Sequence, residues 1–114
     1  MSWHTNAYGR EKFIEAVEKL ATGEGDVRQR LRSAYRALRI LRLQNLPEDM
    51  RGDWRWVQHQ MTRFGPLRHK DGEVWRGSVE NTMSRIRNRT GSEIAKRIYR
   101  MHGSLVWRRY NKYL

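Results

Sequence analysis

The groups best equipped for chemistry in this sequence are its guanidinium groups, and their chemistry is the capture of anions. The stretch RQRLRSAYRALRILR, residues 28–42, carries six arginines and no acid. A guanidinium presents a planar fork that meets phosphate or carboxylate through two parallel bonds, and it stacks on flat groups. At about 100° of rotation per helical residue, Arg28, Arg32, Arg36 and Arg39 fall within about 80° of one another. Val27, Leu31, Ala34, Tyr35, Leu38 and Leu41 form a separate apolar stripe on the same helix. The pattern is a basic ridge beside a buried seam. Glu11, Glu15 and Glu18 of the preceding segment offer some internal neutralisation, but three acids do not balance six arginines and a second basic block. The phosphates of a nucleic acid are the external anion that fits.

Other constellations are poorer. The four histidines are His4, His59, His69 and His102, and none stands at a specific metal-ligand spacing from a second histidine or an acid. His69 with Asp71 and Glu73 comes nearest to a hydrolytic metal site, and a polar turn accounts for the same residues more simply. Cysteine is absent, which excludes disulfides and thiolate metal sites. No glycine-rich phosphate loop follows a strand, and there is no nucleophile elbow. The expectation is a protein without catalysis, metal or cofactor.

The charge is unevenly spread. Twenty-four basic residues stand against 12 acidic ones, a net +12, and 19 of the basic residues are arginine. Residues 1–26 carry a net −2, residues 27–46 +6, residues 47–73 zero and residues 74–114 +8. A GC-rich genome also favours arginine, so the distribution says more than the total. A fold that brings the two basic blocks to one face makes a strong positive field, the usual means of holding a polyanion. The 114 residues, 38% hydrophobic and free of linkers or repeats, read as a single basic helical domain over 1–114. No run approaches the length of a membrane span, and the N-terminus has no apolar leader core, so a soluble, cytoplasmic protein is expected.

Positioning the ridge falls to a set of helices. Phe13, Ile14, Val17, Leu20 and Ala21 predict a helix over 9–22, ended by Gly23 and Gly25, with Asp26 capping the next. Pro47 predicts the close of that second helix near Asn45. An acid-rich turn at PEDM follows, with a break and new cap at Gly52–Asp53. Met50, Trp54, Val57, Met61 and Phe64 then make a buried seam that Gly65–Pro66 terminates. Residues 67–77 read equally as a short hairpin or a plain loop. Ser78 predicts a cap for a helix with Val79, Met83 and Ile86 inside and Arg85 and Arg89 outside. Thr90 and Glu93 stand at capping-box spacing for another helix, with Ile94, Ala95 and Ile98 inside, interrupted at Gly103–Ser104 before a last stretch from Leu105 to about Lys112. The sum is an all-α compact bundle of five or six short helices. In DWRWVQH, Trp56 points about 200° away from Trp54, so the two cannot share one core. Trp56 either packs against another element or points out, and in the second case it is the candidate partner-binding residue.

The C-terminal stretch GSEIAKRIYRMHGSLVWRRYNKYL, residues 91–114, resembles the helix-turn-helix DNA-binding proteins. Ile94, Ala95 and Ile98 match the first helix, Ser104 the polar cap and Val106 the apolar anchor of the recognition helix. Tyr99 stands where that motif has glycine, and the spacing from Ala95 to Val106 is one residue longer. The resemblance implies that Ser104, Trp107, Arg108 and Asn111 face a major groove. Arg108 would read guanine and Asn111 adenine, while Arg85, Arg89, Lys96 and Arg100 meet phosphates.

The function expected is therefore non-enzymatic binding of DNA or RNA through phosphate contacts. The alternative is a phage or mobile-element protein–protein inhibitor, anti-CRISPR-like, that blocks a nucleic-acid-processing complex. The two readings part on the surface. A nucleic-acid binder needs its basic residues contiguous and exposed, whereas an inhibitor needs an exposed apolar patch with charge at its rim. A basic ribosome-associated protein is a third, weaker reading. Oligomeric state is open.

Overall fold

The computed structural model describes residues 3–110, with side chains for residues 6–109. Five α-helices and one small hairpin follow in chain order: α1 Trp3–Thr22, α2 Val27–Leu38, α3 Arg51–Thr62, β1 Leu67–Arg68, β2 Val74–Arg76, α4 Ser78–Arg85 and α5 Asn88–Tyr110. The all-α bundle is as expected, and residues 67–77 form the hairpin, with β1 antiparallel to β2.

α1 and α2 make an αα-hairpin through Gly23–Asp26. Asp26 caps α2 as predicted, accepting the Gln29 N–H at 3.1 Å, and Gln29 Oε1 accepts the Asp26 N–H at 3.0 Å. That reciprocal pair fixes the start of the arginine helix. α1 begins earlier than its apolar stripe requires. Its buried line is Phe13 and Ala16, with Val17 and Leu20 half-buried, while Ile14 and Ala21 lie outside.

α2 ends at Leu38, well before Asn45. The chain instead turns, and Leu43–Asn45 forms a short 3₁₀ turn. The reason is local competition. Asn45 Oδ1 takes the Arg42 N–H at 2.9 Å, a bond incompatible with continued helix. Pro47 holds Leu46 extended. This turn lies on α1, where the backbone carbonyl of Asn45 packs against Gly9 in the space a β-carbon would fill. A second 3₁₀ turn, Glu48–Met50, runs directly into α3, so the break expected at Gly52–Asp53 does not occur.

The core centres on Trp54, fully buried, with its ring edge-on to Phe13 and stacked on Tyr35, each at 6.1 Å. Met50, Val57 and Met61 complete the predicted seam of α3. Phe64 does not join it. α3 stops at Thr62, Gly65 turns the chain with φ +67°, and Phe64 is 43% exposed. The α3–α4 joint is held by polar groups instead. Thr82 Oγ1 accepts the Phe64 N–H at 3.1 Å, and the buried Asn81 donates to the Gly65 carbonyl at 2.9 Å.

α4 takes Gly77 as its cap residue, with Ser78 as its first helical residue rather than its cap. α5 starts at Asn88, two residues before Thr90, and runs without interruption through Gly103. Ile94, Ile98, Met101 and Leu105 are all buried and keep helical phase across that glycine. Burial of this continuous stripe outweighs the roughly 1 kcal/mol that an internal glycine costs. The first turn of α5 crosses α2 closely, with the buried Gly91 against Val27, Arg28 and Leu31.

Two glycine substitutions in helices should therefore act with opposite sign. Gly103 has open space around it, so Gly103→Ala should raise stability by about 0.5–1 kcal/mol through helix propensity. Gly9→Ala should lower it by about 1–3 kcal/mol, because the new methyl meets the Asn45 carbonyl. Urea denaturation midpoints read both. A destabilised Gly103→Ala would mean that α5 breaks there.

Candidate functional site

The arginine ridge divides into two halves. Arg28 is occupied within the protein. Its Nε and Nη2 donate to Asp26 Oδ2 at 3.1 and 2.8 Å, and its Nη1 donates to the Ile86 carbonyl at 3.1 Å. It thus clasps the start of α2 to the joint between α4 and α5. Hydrogen bonding from Arg28, then from the Gln29 N–H, holds the Asp26 carboxyl below its ordinary pKa. Arg32 makes a looser pair with Glu80 of α4, at 3.5 Å. Arg36 and Arg39 are exposed and have no hydrogen-bond or ion-pair partner among the described residues. Arg30, off the ridge, is turned inward to the Leu20 carbonyl at 2.9 Å.

The ridge borders a groove between α2 and α4. Its upper part is a cleft of about 310 Å³, lined on one side by Arg32, Tyr35, Arg36 and Arg39 and on the other by Gly77, Ser78, Val79 and Glu80. Three guanidinium groups face one carboxylate there. Gly77 supplies no side-chain cap, and the first turn of α4, whose N–H groups carry partial positive charge, lines the same cleft. The lower part, about 210 Å³, is lined by Asp26, Arg28, Gln29, Arg32, Met83 and Ser84. Arg87 and Arg89 are exposed at the joint that Arg28 clasps, so the second basic block meets the first at that end of α2.

Two arginines of the C-terminal block, Arg97 and Arg108, are neutralised from within. Arg108 makes a two-pronged ion pair with Asp49, its Nη1 at 3.0 Å from Oδ1. That hydrogen bonding keeps Asp49 below and Arg108 above their ordinary pKa values. Arg97 pairs with Asp53 at 2.9 Å and lies 4.2 Å over the ring of Trp56. Trp56 is half-buried against the core under that guanidinium, so its separate direction from Trp54 has an internal explanation. Arg85 donates to Asn81 Oδ1 at 3.2 Å and lies 5.5 Å from the Phe64 ring. Arg89, Lys96 and Arg100 are exposed on α5 without a partner among the described residues.

The turn expected between Ile98 and Ser104 is absent. Ser104 is an interior residue of α5 and caps nothing, and Ser104 and Arg108 line a polar cleft with Asp49 and Asp53. Trp107 is 64% exposed on the outer face of α5, and Asn111 lies outside the described residues. Asp49, Asp53 and Arg97 were not singled out by the sequence pattern. The two aspartates come from a block whose net charge of zero hid the fact that its acids face basic residues elsewhere, Arg97 among them. Arg87 and the Gly77–Glu80 start of α4 were likewise missed.

His69, Asp71 and Glu73 sit on the hairpin turn, where Asp71 Oδ1 accepts the Glu73 N–H at 3.0 Å and the His69 ring lies 6.3 Å from Trp75. Among the described residues no three histidine, aspartate or glutamate side chains come together as metal ligands, and no helix is long and apolar enough to cross a membrane. No protein-family model matches the chain, and neither a curated protein nor a solved structure matches it.

The Asp26–Arg28 clasp has a pH signature. A carboxyl that titrates lower in the folded than in the unfolded chain stabilises the fold at neutral pH, and that contribution is lost as pH falls from the ordinary carboxylate value of about 3.9 through the lowered folded value. Asp26 and Asp49 both have this sign. Thermal midpoints should drop as pH falls below about 4, and Asp26→Asn should lower the midpoint at pH 5 while flattening part of that drop.

Proposed function

We propose that this protein binds nucleic acid without catalysing a reaction, holding the sugar-phosphate backbone along the groove between α2 and α4. The observation that supports the reading is the pair Arg36 and Arg39. Both are exposed, both lack a partner among the described residues, and both open onto one cleft with Arg32 and the start of α4, which has no side-chain cap. Two adjacent unpaired guanidiniums over a helix N-terminus repel one another in the free protein, and a phosphate relieves that repulsion while accepting their hydrogen bonds. Arg87 and Arg89 extend the positive track beyond the Arg28 end of α2.

The form of nucleic acid that fits best is single-stranded. Trp75 is 52% exposed on β2, two residues before Gly77 at the lip of the cleft, with the Arg76 guanidinium 5.1 Å from its ring. An exposed indole beside a phosphate-binding groove stacks on an unpaired base, and duplex DNA offers none. Reading of a major groove by α5 has less support. The helix is uninterrupted, and Arg108 is held by Asp49.

Fluorescence anisotropy of labelled single-stranded DNA, RNA and duplex DNA, titrated from about 50 to 200 mM salt, tests the proposal. Single strands should bind with a steep salt slope. Arg36→Ala with Arg39→Ala should weaken binding by about tenfold or more and reduce the slope by about 1.5. Arg108→Ala should change it far less, because that charge is already neutralised. Absence of binding to all three at low salt would sink the proposal and leave the arginines to an acidic protein surface, the inhibitor reading.

A further inference from the structure

A second surface has a different character. Between α1 and α5 runs an open groove of about 490 Å³ lined by Val17, Leu20, Ala21, Ala95, Lys96, Tyr99 and Arg100. Its floor and walls are apolar. Tyr99 is 63% exposed, and Ile14, one helical turn from Val17 and Glu18, is 44% exposed. This face is where the sequence stripe of α1 and the buried line of the structure disagree: Ile14 and Ala21 continue the apolar surface outward past the core.

The charges beside the groove are mostly acidic on its α1 side and mostly basic on its α5 side, with half-buried Arg10 on α1 and exposed Glu93 on α5 as the counter-charges. On α1, Glu11 and Glu18 flank Ile14 at i−3 and i+4, and both are exposed without a partner among the described residues. On α5, Lys96 and Arg100 stand beyond Tyr99, equally exposed and without a partner. A polyanion is repelled by the first rim. A uniformly acidic or basic partner helix meets one like-charged rim whichever way it lies. The same surface turned over satisfies both sides. A two-fold axis along the groove sets the α1 of one copy over the α5 of the other, so acid meets base twice and the two Tyr99 rings close on apolar surface.

We infer that the groove between α1 and α5 is a homodimer interface, with a second copy of this chain as its occupant. The α2–α4 cleft draws on neither helix of that groove, so each copy keeps its own cleft free. The inference does not depend on nucleic-acid binding.

Charge reversal tests it. Sedimentation equilibrium of the whole chain, without nucleic acid, from about 1 μM to 1 mM should show the mass rising from 13.8 kDa toward twice that value. Glu11→Lys with Glu18→Lys makes both rims basic, and Lys96→Glu with Arg100→Glu makes both acidic. Each variant alone should weaken association by about tenfold or more, and an equimolar mixture of the two should restore it. Tyr99→Ser should weaken association without lost helicity by circular dichroism, which separates interface loss from unfolding. A wild-type mass that stays at 13.8 kDa throughout overturns the inference. So does a dimer indifferent to both charge reversals, since it forms elsewhere. A monomer that takes up a foreign helical peptide at Tyr99 overturns it in favour of a different occupant.

Discussion

Trp54 is the residue on which the rest of the structure depends. It belongs to α3, yet its ring meets Phe13 of α1 and Tyr35 of α2 and is fully buried. A chain with a net charge of +12 resists condensation by self-repulsion, and its apolar content is modest. What overcomes this is a single continuous core, with Trp54 joining the α1–α2 hairpin to the second half of the chain. Tyr35 shows the cost of that position, since burial raises the pKa of its hydroxyl. Because Tyr35 faces Trp54, the rotation of α2 is fixed. Arg32, Arg36 and Arg39 then point toward α4 and solvent rather than into α1. The orientation of the basic ridge is a consequence of where one indole is buried.

The same logic sorts the arginines. Those whose guanidinium reaches an acid or a carbonyl serve as clasps: Arg28 at the α4–α5 joint, Arg30 on the end of α1, Arg51 on the Leu43 carbonyl at 2.9 Å, Arg97 and Arg108 on α3 and the turn before it. Arginine suits this work because its stem packs on apolar surface while its fork satisfies several acceptors. The partly exposed pairs add little stability singly, but they fix helix positions. Among the described residues, exposed basic groups without an ion pair include Arg36 and Arg39 at the α2–α4 cleft and Arg89, Lys96 and Arg100 on α5. The net charge of the chain thus overstates the positive field at some places and understates it at others.

The two remaining surfaces have different origins. The α2–α4 cleft forms because α4 is short and enters almost directly from the hairpin, so its first turn sits opposite the last turns of α2. The α1–α5 groove forms because α5 is long and packs its buried stripe on α1, leaving Tyr99 and Ile14 on the outside of the joint. His102, stacked on Tyr99, is held below its ordinary pKa by burial.

The sequence by itself determined the helical class, the Asp26 cap, the Trp54 seam and the clustering of Arg28, Arg32, Arg36 and Arg39 on one side of α2. Each of these follows from local periodicity or from a side chain bonding within four residues, which any helix of that composition must express. Only the tertiary structure decided which of those arginines are free. Asp49 lies 59 residues from Arg108 and Asp53 lies 44 from Arg97. No spacing rule connects them, because ion pairing across a fold depends on how helices cross. It also decided that α5 continues through Gly103, since burial of Met101 and Leu105 on neighbouring helices outweighs a local preference worth about 1 kcal/mol. Local patterns specify elements and faces. The partners of those faces are set by packing between segments far apart in the chain, and that information is not written at any one place in it.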